Sequence, residues 1–460
     1  MIGARIELMR GTPRLFGTDG VRGVAGRYPL DRETVWQLGR ALGSVFSSRS
    51  GRPKILMGRD TRESSPWIAS TLAAGLQASG VSVAFAGIIT TPGVAFLTRT
   101  HAFTAGVMIS ASHNPFEDNG IKVLSGNGMK LPESLELEIE RELEKRRAAR
   151  SGASQIGLEV SPGLIEDYVG FLASLAAPED GLARFRIVAD CANGSAAIVA
   201  PLLFQRLGLE AFFIHAEPNG RNINSGCGSL YPQSVAEAAK RCGADLAVAF
   251  DGDADRAIFA SSSGRVFDGD YVLFATAPFW KARGLLKGGA VVGTQMTNLG
   301  LEIALKSQGI QLKRTPVGDR FVLEEMLRSG INLGGEPSGH LIFSDLSLAG
   351  DGLVTLLQML RLLAETGKTL DEIMRDYAPF PQIIRNVRVH QKKNLDSIPE
   401  VAEAVDRCQG ELGERGRIIV RYSGTEPLAR VMVEGEDAAR VHHHANCIAG
   451  AIAAAVDHAE

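Results

Sequence analysis

Gly106-Val107-Met108-Ile109-Ser110-Ala111-Ser112-His113-Asn114-Pro115 divides into two halves of opposite character. The apolar run Val107 to Ile109 reads as a buried strand, and the small and polar residues after it end at Asn114-Pro115, a strong turn pair. A strand thus delivers the hydroxyl of Ser112 into a loop. His113 supplies a titratable imidazole beside it, and Lys122 follows in Asn119-Gly120-Ile121-Lys122 with a fixed positive charge. Nucleophile, imidazole and cation together suit phosphoryl chemistry. Ser112 and Asn114 in isolation would equally suit an ordinary hydrogen-bonded turn, so the rest of the chain decides between the two.

Working outward, strand and helix patterns alternate on both sides of this stretch. Asp31 precedes Val35, Leu38, Leu42, Val45 and Phe46 at helical spacing, as a helix cap does. Ile55 to Met57 reads as a strand running into Arg59-Asp60-Thr61-Arg62, and Val81 to Phe85 as the next strand. Such alternation is that of a parallel α/β sheet, in which ligands sit at the carboxyl ends of strands. The Ser112 loop occupies such an end. A charged helix is expected from about Glu133 to Arg150, then a Ser/Gly linker that closes a first unit at 1–154.

The second unit, 155–256, carries strands at Ile187 to Ala189, Ala211 to Ile214 and Leu246 to Phe250, with a helix from Ser195 to Leu207 and a long Asn/Gly/Pro loop from Pro218 to Tyr231. It ends in Asp251-Gly252-Asp253-Ala254-Asp255-Arg256. Two carboxylates about 4 Å apart repel by roughly 4 kcal/mol at an effective dielectric of ~20, a cost that a divalent cation removes. Arg256 and Ser262 stand where a calcium loop of the EF-hand type needs glycine and glutamate. Hard oxygen ligands, few in number, favour Mg2+ over Zn2+.

A third unit, 257–377, has strands at Ala290 to Val292 and Gln311 to Thr315, then Val317-Gly318-Asp319-Arg320. Its segment Gly335-Glu336-Pro337-Ser338-Gly339-His340 sets a carboxylate, a hydroxyl and an imidazole on a glycine-rich loop suited to sugar hydroxyls. The remainder, 378–460, reads as a small α+β domain with strands at Ile384 to Val389, Ile418 to Arg421 and Ala429 to Val433. Between two of them Arg421, Ser423, Gly424 and Thr425, with Arg430 beyond, make a phosphate cradle. Near the start of the chain Gly17-Thr18-Asp19-Gly20-Val21-Arg22 offers another guanidinium beside flexible backbone. Two tempting patterns carry no role: Gly367-Lys368-Thr369 lacks the earlier glycine of a P-loop, and His442, His443 and His444 fan out around a helix.

Composition narrows the classes. With 460 residues, 45% hydrophobic and 22% charged, the chain can bury large cores. A formal net charge of -3 argues against a general nucleic-acid binder. No stretch reaches membrane-spanning length, and the first residues lack the apolar core of a signal peptide. The five cysteines, Cys191, Cys227, Cys242, Cys408 and Cys447, are widely spaced and form no C-x-x-C pair, which fits a reducing cytoplasm.

Taken in order, the Ser-His-Asn-Pro, Asp-Gly-Asp-x-Asp-Arg, Gly-Glu-Pro-Ser-Gly-His and Arg-x-Ser-Gly-Thr-Glu-Pro segments resemble the α-D-phosphohexomutase superfamily over nearly the whole chain. The resemblance implies three similar mixed α/β domains and a smaller C-terminal α+β domain around a central cleft, each lending one loop. It implies a phosphorylated Ser112 that, with Asp251, Asp253 and Asp255, holds Mg2+. Its phosphoryl group would pass to a hexosamine phosphate to give a bisphosphate intermediate, which turns over and returns the other phosphoryl group to Ser112. Arg22, Lys122 and Arg256 would offset charge, and His113 and Lys122 would move protons. Glu336, Ser338, His340 and Arg320 would meet the sugar, while Arg421, Ser423, Gly424, Thr425 and Arg430 hold the idle phosphate. Pro337 stands where a glutamine is expected of the hexosamine branch, so the phosphomannomutase/phosphoglucomutase branch is the alternative.

Overall fold

The apolar half of the opening stretch forms the strand Ala105–Ile109, all five residues of which are buried. It lies in a five-stranded sheet whose order is Val21–Val24, Asp118–Ser125, Ala105–Ile109, Lys54–Arg59, Ser82–Ile88. Lys54–Arg59 runs parallel to both Ala105–Ile109 and Ser82–Ile88, whereas Asp118–Ser125 runs antiparallel. The sheet is therefore mixed, where strand and helix alternation alone suggested a parallel one. A hairpin needs only a short connection, while a parallel return needs a crossover, and here the connection is the Ser112 loop itself. The computed structural model describes residues 15–17, 19–146, 152–176, 181–389, 394–422 and 427–457.

The same connectivity recurs twice. In the second sheet Arg186–Asp190 lies between Glu210–Ile214 and Leu246–Phe250, parallel to both, and Ala257–Ala260 returns antiparallel beside the latter. In the third, Ala290–Thr294 lies between Gln311–Thr315 and Leu333–Gly335, and Leu341–Phe343 returns antiparallel. In every case the turn between the third strand and its antiparallel partner is one of the loops singled out by composition: 110–117, 251–256 and 336–340. The return strands are short or glycine-bearing, and alternation is too weak to reveal them.

Local chemistry sets the helices. The Asp31 carboxylate accepts the Thr34 N–H at 2.9 Å and caps the helix Arg32–Arg49. Thr90 caps Thr91–Thr100, with Pro92 in the first turn. Gly367 takes the left-handed conformation that ends Gly352–Thr366, and Thr369 starts the next helix with a capping box, so Gly367-Lys368-Thr369 is a stop and a start rather than a phosphate loop. The charged helix spans Glu133–Arg146 and buries Leu135, Ile139 and Leu143, while 147–151 lie outside the described residues. No helix among the described residues is long and apolar enough to cross a membrane.

The first three units share a core. One apolar cluster runs from Leu56 and Met108 through Tyr168 and Phe250 to Phe343 and Leu356. The antiparallel sheet Gln382–Arg388, Leu428–Gly435, Gly416–Tyr422 packs its own cluster with the helices Pro399–Leu412 and Ala438–Asp457. The last unit meets the third through a polar pin: the fully buried Glu434 carboxylate accepts the Leu299 N–H at 2.9 Å, at the start of the helix Leu299–Ser307, and pairs with Arg417 at 2.8 Å. A carboxylate at a helix N-terminus meets unpaired N–H groups and the positive end of the dipole.

Candidate active site

Ser112 ends its strand in the left-handed region, φ +53°, and is almost fully buried. Its hydroxyl donates to Asp251 Oδ2 at 2.5 Å and lies 3.2 Å from His113 Nδ1. A non-glycine residue at positive φ costs on the order of 1–3 kcal/mol and persists only where its surroundings insist. Here the insistence comes from Arg62. Its guanidinium, wholly buried and paired with Asp60 at 2.8 Å, donates to the carbonyls of Ser112 at 3.0 Å, Asn114 at 2.8 Å, Asp118 at 3.0 Å, and Pro115. Arg62 is not among the candidate residues of the sequence, because an arginine shortly after a strand is too common a feature to single it out.

The second loop closes on the first. Asp251, Asp253 and Asp255 are all buried, and one oxygen from each lies within 4.8 Å of the others. Lys122, on the return strand rather than in the loop, reaches Asp253 at 2.6 Å and Asp255 at 3.4 Å. Thr91, in the first turn of its helix, donates its hydroxyl to Asp253 as well. Asp253 Oδ1 and Asp255 Oδ1 are buried with no hydrogen-bond partner. Unsatisfied carboxylate oxygens are costly when buried, and two of them beside a serine hydroxyl form a donor set of hard oxygens that fits a divalent cation.

The charges around the cluster are uneven. Burial, reinforced by Asp255 and Asp253, raises Asp251 well above the ordinary carboxyl value. Burial opposes ionisation of Asp255 too, but Lys122, His340 and Arg256 prevail and hold it well below. Burial would lower Lys122, yet Asp253 and Asp255 raise it, so it stays an ammonium. Burial, then the guanidinium groups of Arg256 and Arg22, push His113 down to about 4, leaving a neutral imidazole able to accept a proton.

The third loop enters through His340. Its ring lies 3.7 Å from Asp255 on one side and 3.7 Å from Asp319 on the other. Burial would lower its pKa, but Asp255, Asp319 and Glu336 raise it to about 9. Asp319 also meets Lys130 at 2.6 Å, and Lys130 reaches Asp19 at 2.7 Å, joining the first unit to the third across a cavity of about 260 Å³. Glu336 accepts the Gly318 N–H at 3.0 Å and the Ser338 hydroxyl at 3.4 Å, leaving the pair half-exposed. Arg22 lies against Gly120 at the base of the Ser112 loop and pairs with Asp19 at 3.3 Å. Arg320 lines the same cavity, held by Glu324 at 3.0 Å and by Glu136 at 3.8 Å.

Arg421 and Arg430 stand opposite each other in register on neighbouring strands of the last unit. Ser423, Gly424 and Thr425 lie outside the described residues.

At Gly252 the backbones of the two loops pass close together. A Cβ there would fall 2.6 Å from the Ser112 carbonyl oxygen and 2.9 Å from Asn224 Nδ2. Gly252→Ala should therefore cost about 1–3 kcal/mol as an overpacked contact and lower turnover more than unfolding explains. Thermal melting and initial rates measured together check this, and unchanged turnover would show that the loops can part without consequence.

Family models of all four phosphoglucomutase/phosphomannomutase domains match in order: alpha/beta/alpha domain I over residues 13–150, domain II over 166–264, domain III over 268–380 and the C-terminal domain over 385–451. Fold and site together define a phosphohexomutase. The chain is 49% identical over 454 residues to phosphoglucosamine mutase of Koribacter versatilis, covering 96% of this chain and 97% of that one. It is 50% identical over 439 residues to phosphoglucosamine mutase of Solibacter usitatus, covering 95% and 98%. The chain belongs to the phosphoglucosamine mutase family. In fold it is similar to Aspergillus fumigatus N-acetylphosphoglucosamine mutase, solved in complex with GlcNAc-6P and magnesium, with a TM-score of 0.65, 19% identity and 96% of each chain covered.

Proposed function

We infer that this chain interconverts glucosamine 6-phosphate and glucosamine 1-phosphate through a phosphorylated Ser112 and a glucosamine bisphosphate, on the route to UDP-N-acetylglucosamine. The observation that carries the reading is the Ser112 hydroxyl 2.5 Å from Asp251 in a buried three-carboxylate cluster. A serine so placed is a nucleophile whose charged form needs a cation beside it.

Mg2+ held by Asp251, Asp253, Asp255 and the Ser112 phosphate would neutralise charge on the phosphoryl oxygens. The chain's own residues do the rest. In the first transfer the bond from phosphorus to Ser112 Oγ breaks, a bond to the sugar hydroxyl oxygen forms, and the hydroxyl proton leaves to a base while Ser112 Oγ gains a proton. Neutral His113 is placed to take a proton, whereas Lys122, fixed as an ammonium, stabilises charge near Asp253. After the bisphosphate turns over, its other phosphoryl group passes to Ser112 Oγ, which gives up its proton, and the sugar oxygen released regains one. Glu336 and Ser338 hold the sugar hydroxyls in either orientation, and Arg421, Ser423, Thr425 and Arg430 grip the phosphate at rest.

The relatives at 49% and 50% identity favour the hexosamine substrate over mannose or glucose phosphate. Phosphorus NMR of the phosphorylated enzyme with Mg2+ tests this with glucosamine 6-phosphate, mannose 6-phosphate and glucose 6-phosphate in separate samples. Fastest formation of glucosamine 1-phosphate is expected. Faster turnover of either other sugar would move the chain to the alternative branch.

A further inference from the structure

The loop from Pro218 to Tyr231 belongs to the second unit, yet it reaches the nucleophile of the first. The Asn224 side-chain amide donates to the Ser112 carbonyl at 2.9 Å and to the Asn114 carbonyl at 3.0 Å. These are two of the carbonyls that Arg62 also holds. Each oxygen is thus gripped from within its own unit and from across the seam. We propose that Asn224 is a positioning residue for phosphoryl transfer, fixing from the second unit the left-handed turn that aims Ser112 Oγ at the carboxylate cluster. The inference rests on the phosphoserine reading above.

Backbone strain and scaffolding converge on the same place. Six of the seven non-glycine residues with positive φ among the described residues are Ser112, Ala192, Asn193, His215, Asn224 and Ala254. All lie in loops that follow strands of the first two sheets or in the segment joining them. Strain stored this locally is maintained by surrounding contacts and marks where geometry matters. The contacts are visible: Asn224 N–H donates to the Ala192 carbonyl at 2.9 Å, and the Thr61 hydroxyl crosses the seam to the Asn193 carbonyl at 2.6 Å.

Beneath them Asp190, His215 and Cys227 come close enough to suggest a second metal centre. The Asp190 carboxylate is already committed, however. It accepts the Ala192 N–H at 2.8 Å, the Gly228 N–H at 3.0 Å and the Ser234 hydroxyl at 3.1 Å, and lies 3.0 Å from His215 Nδ1. Its work is to tie down the two ends of the loop that carries Asn224.

Glycine tolerates positive φ and removes both donors, so Asn224→Gly isolates the hydrogen bonds from the backbone requirement. With phosphorylated enzyme, Mg2+ and glucosamine 6-phosphate, rapid-quench single turnover should show a transfer rate constant lower by about 10- to 100-fold, the scale of a misplaced reacting group. The amplitude and the melting temperature should change little. An unchanged rate constant, whether the amplitude falls or holds, overturns the proposal, because loss of folded protein lowers only the amplitude. Asn224→Asp keeps the backbone tolerance but turns acceptors toward two carbonyls, so it should be at least as slow; parent-like transfer would also overturn it. Hydrogen exchange without substrate supplies an independent readout: Asn224→Gly should speed exchange at the amides of residues 112–114 in an otherwise unchanged protein, and unaltered exchange there would count against the clamp. If the parent enzyme fails to transfer at all, the functional reading fails, while the exchange result still judges the clamp.

Discussion

Ser112→Ala is expected to abolish interconversion, lowering turnover by about 10⁴-fold or more, as loss of a covalent nucleophile does, while the protein stays folded. The variant loses one hydroxyl donor to Asp251, worth on the order of 0.5–1.5 kcal/mol. Alanine meets the same backbone strain as serine, and the loop remains held through carbonyl oxygens rather than through the side chain. Intact-mass spectrometry should detect no phosphoryl group after treatment with a sugar bisphosphate, and circular dichroism should match the parent. Substantial remaining turnover in a folded variant would remove Ser112 from the role assigned to it.

Lys122→Met should be the most destabilising single change at the site, and conditionally so. The ammonium lies 2.6 Å from Asp253 and 3.4 Å from Asp255, and among the described residues neither carboxylate has another cation as close. Removing one partner of a buried ion pair costs about 3–5 kcal/mol because the other charge is left uncompensated. A divalent cation at the carboxylates supplies what the lysine supplied, so Mg2+ should restore more stability to the variant than it adds to the parent. The lysine pKa is raised, so its contribution is fully present below the ordinary lysine value and is lost only as pH rises through the folded one. The deficit should therefore be flat across about pH 6 to 9. Melting curves with chelator and with Mg2+ check both points; an equal gain from Mg2+ in parent and variant would mean that lysine and metal do not share the carboxylates.

How much of this was legible beforehand follows the range of the interactions. Strand ends are written locally: the apolar run before Ser112 and the one before Asp251 each stop where polar residues begin, and both became buried strands with a loop at the carboxyl end. The alternating aspartates likewise announce a cation through their own repulsion. What composition could not reveal is set by residues remote in the chain. Arg62 acts on carbonyls some fifty positions away, Asn224 on the same carbonyls from another unit, and Thr91 on Asp253 through the start of an unrelated helix. Arginine after a strand and asparagine in a turn-rich loop are common enough that neither stands out. Lys122 reads in the sequence as part of the loop, whereas it sits on a return strand whose antiparallel direction only the sheet reveals.

The thrice-repeated turn between a third strand and its antiparallel partner has a consequence for how such a molecule can change. The Ser112 loop, the loop of three aspartates and the Glu336–His340 loop occupy corresponding places in three copies of one architectural unit. The copies do not vary independently, however: Asn224 of the second holds the turn of the first, Gly252 leaves no room beside the Ser112 carbonyl, and His340 of the third lies beside Asp255 of the second. Change is therefore best absorbed at half-exposed positions such as Pro337, while residues at the seams vary only together with their neighbours.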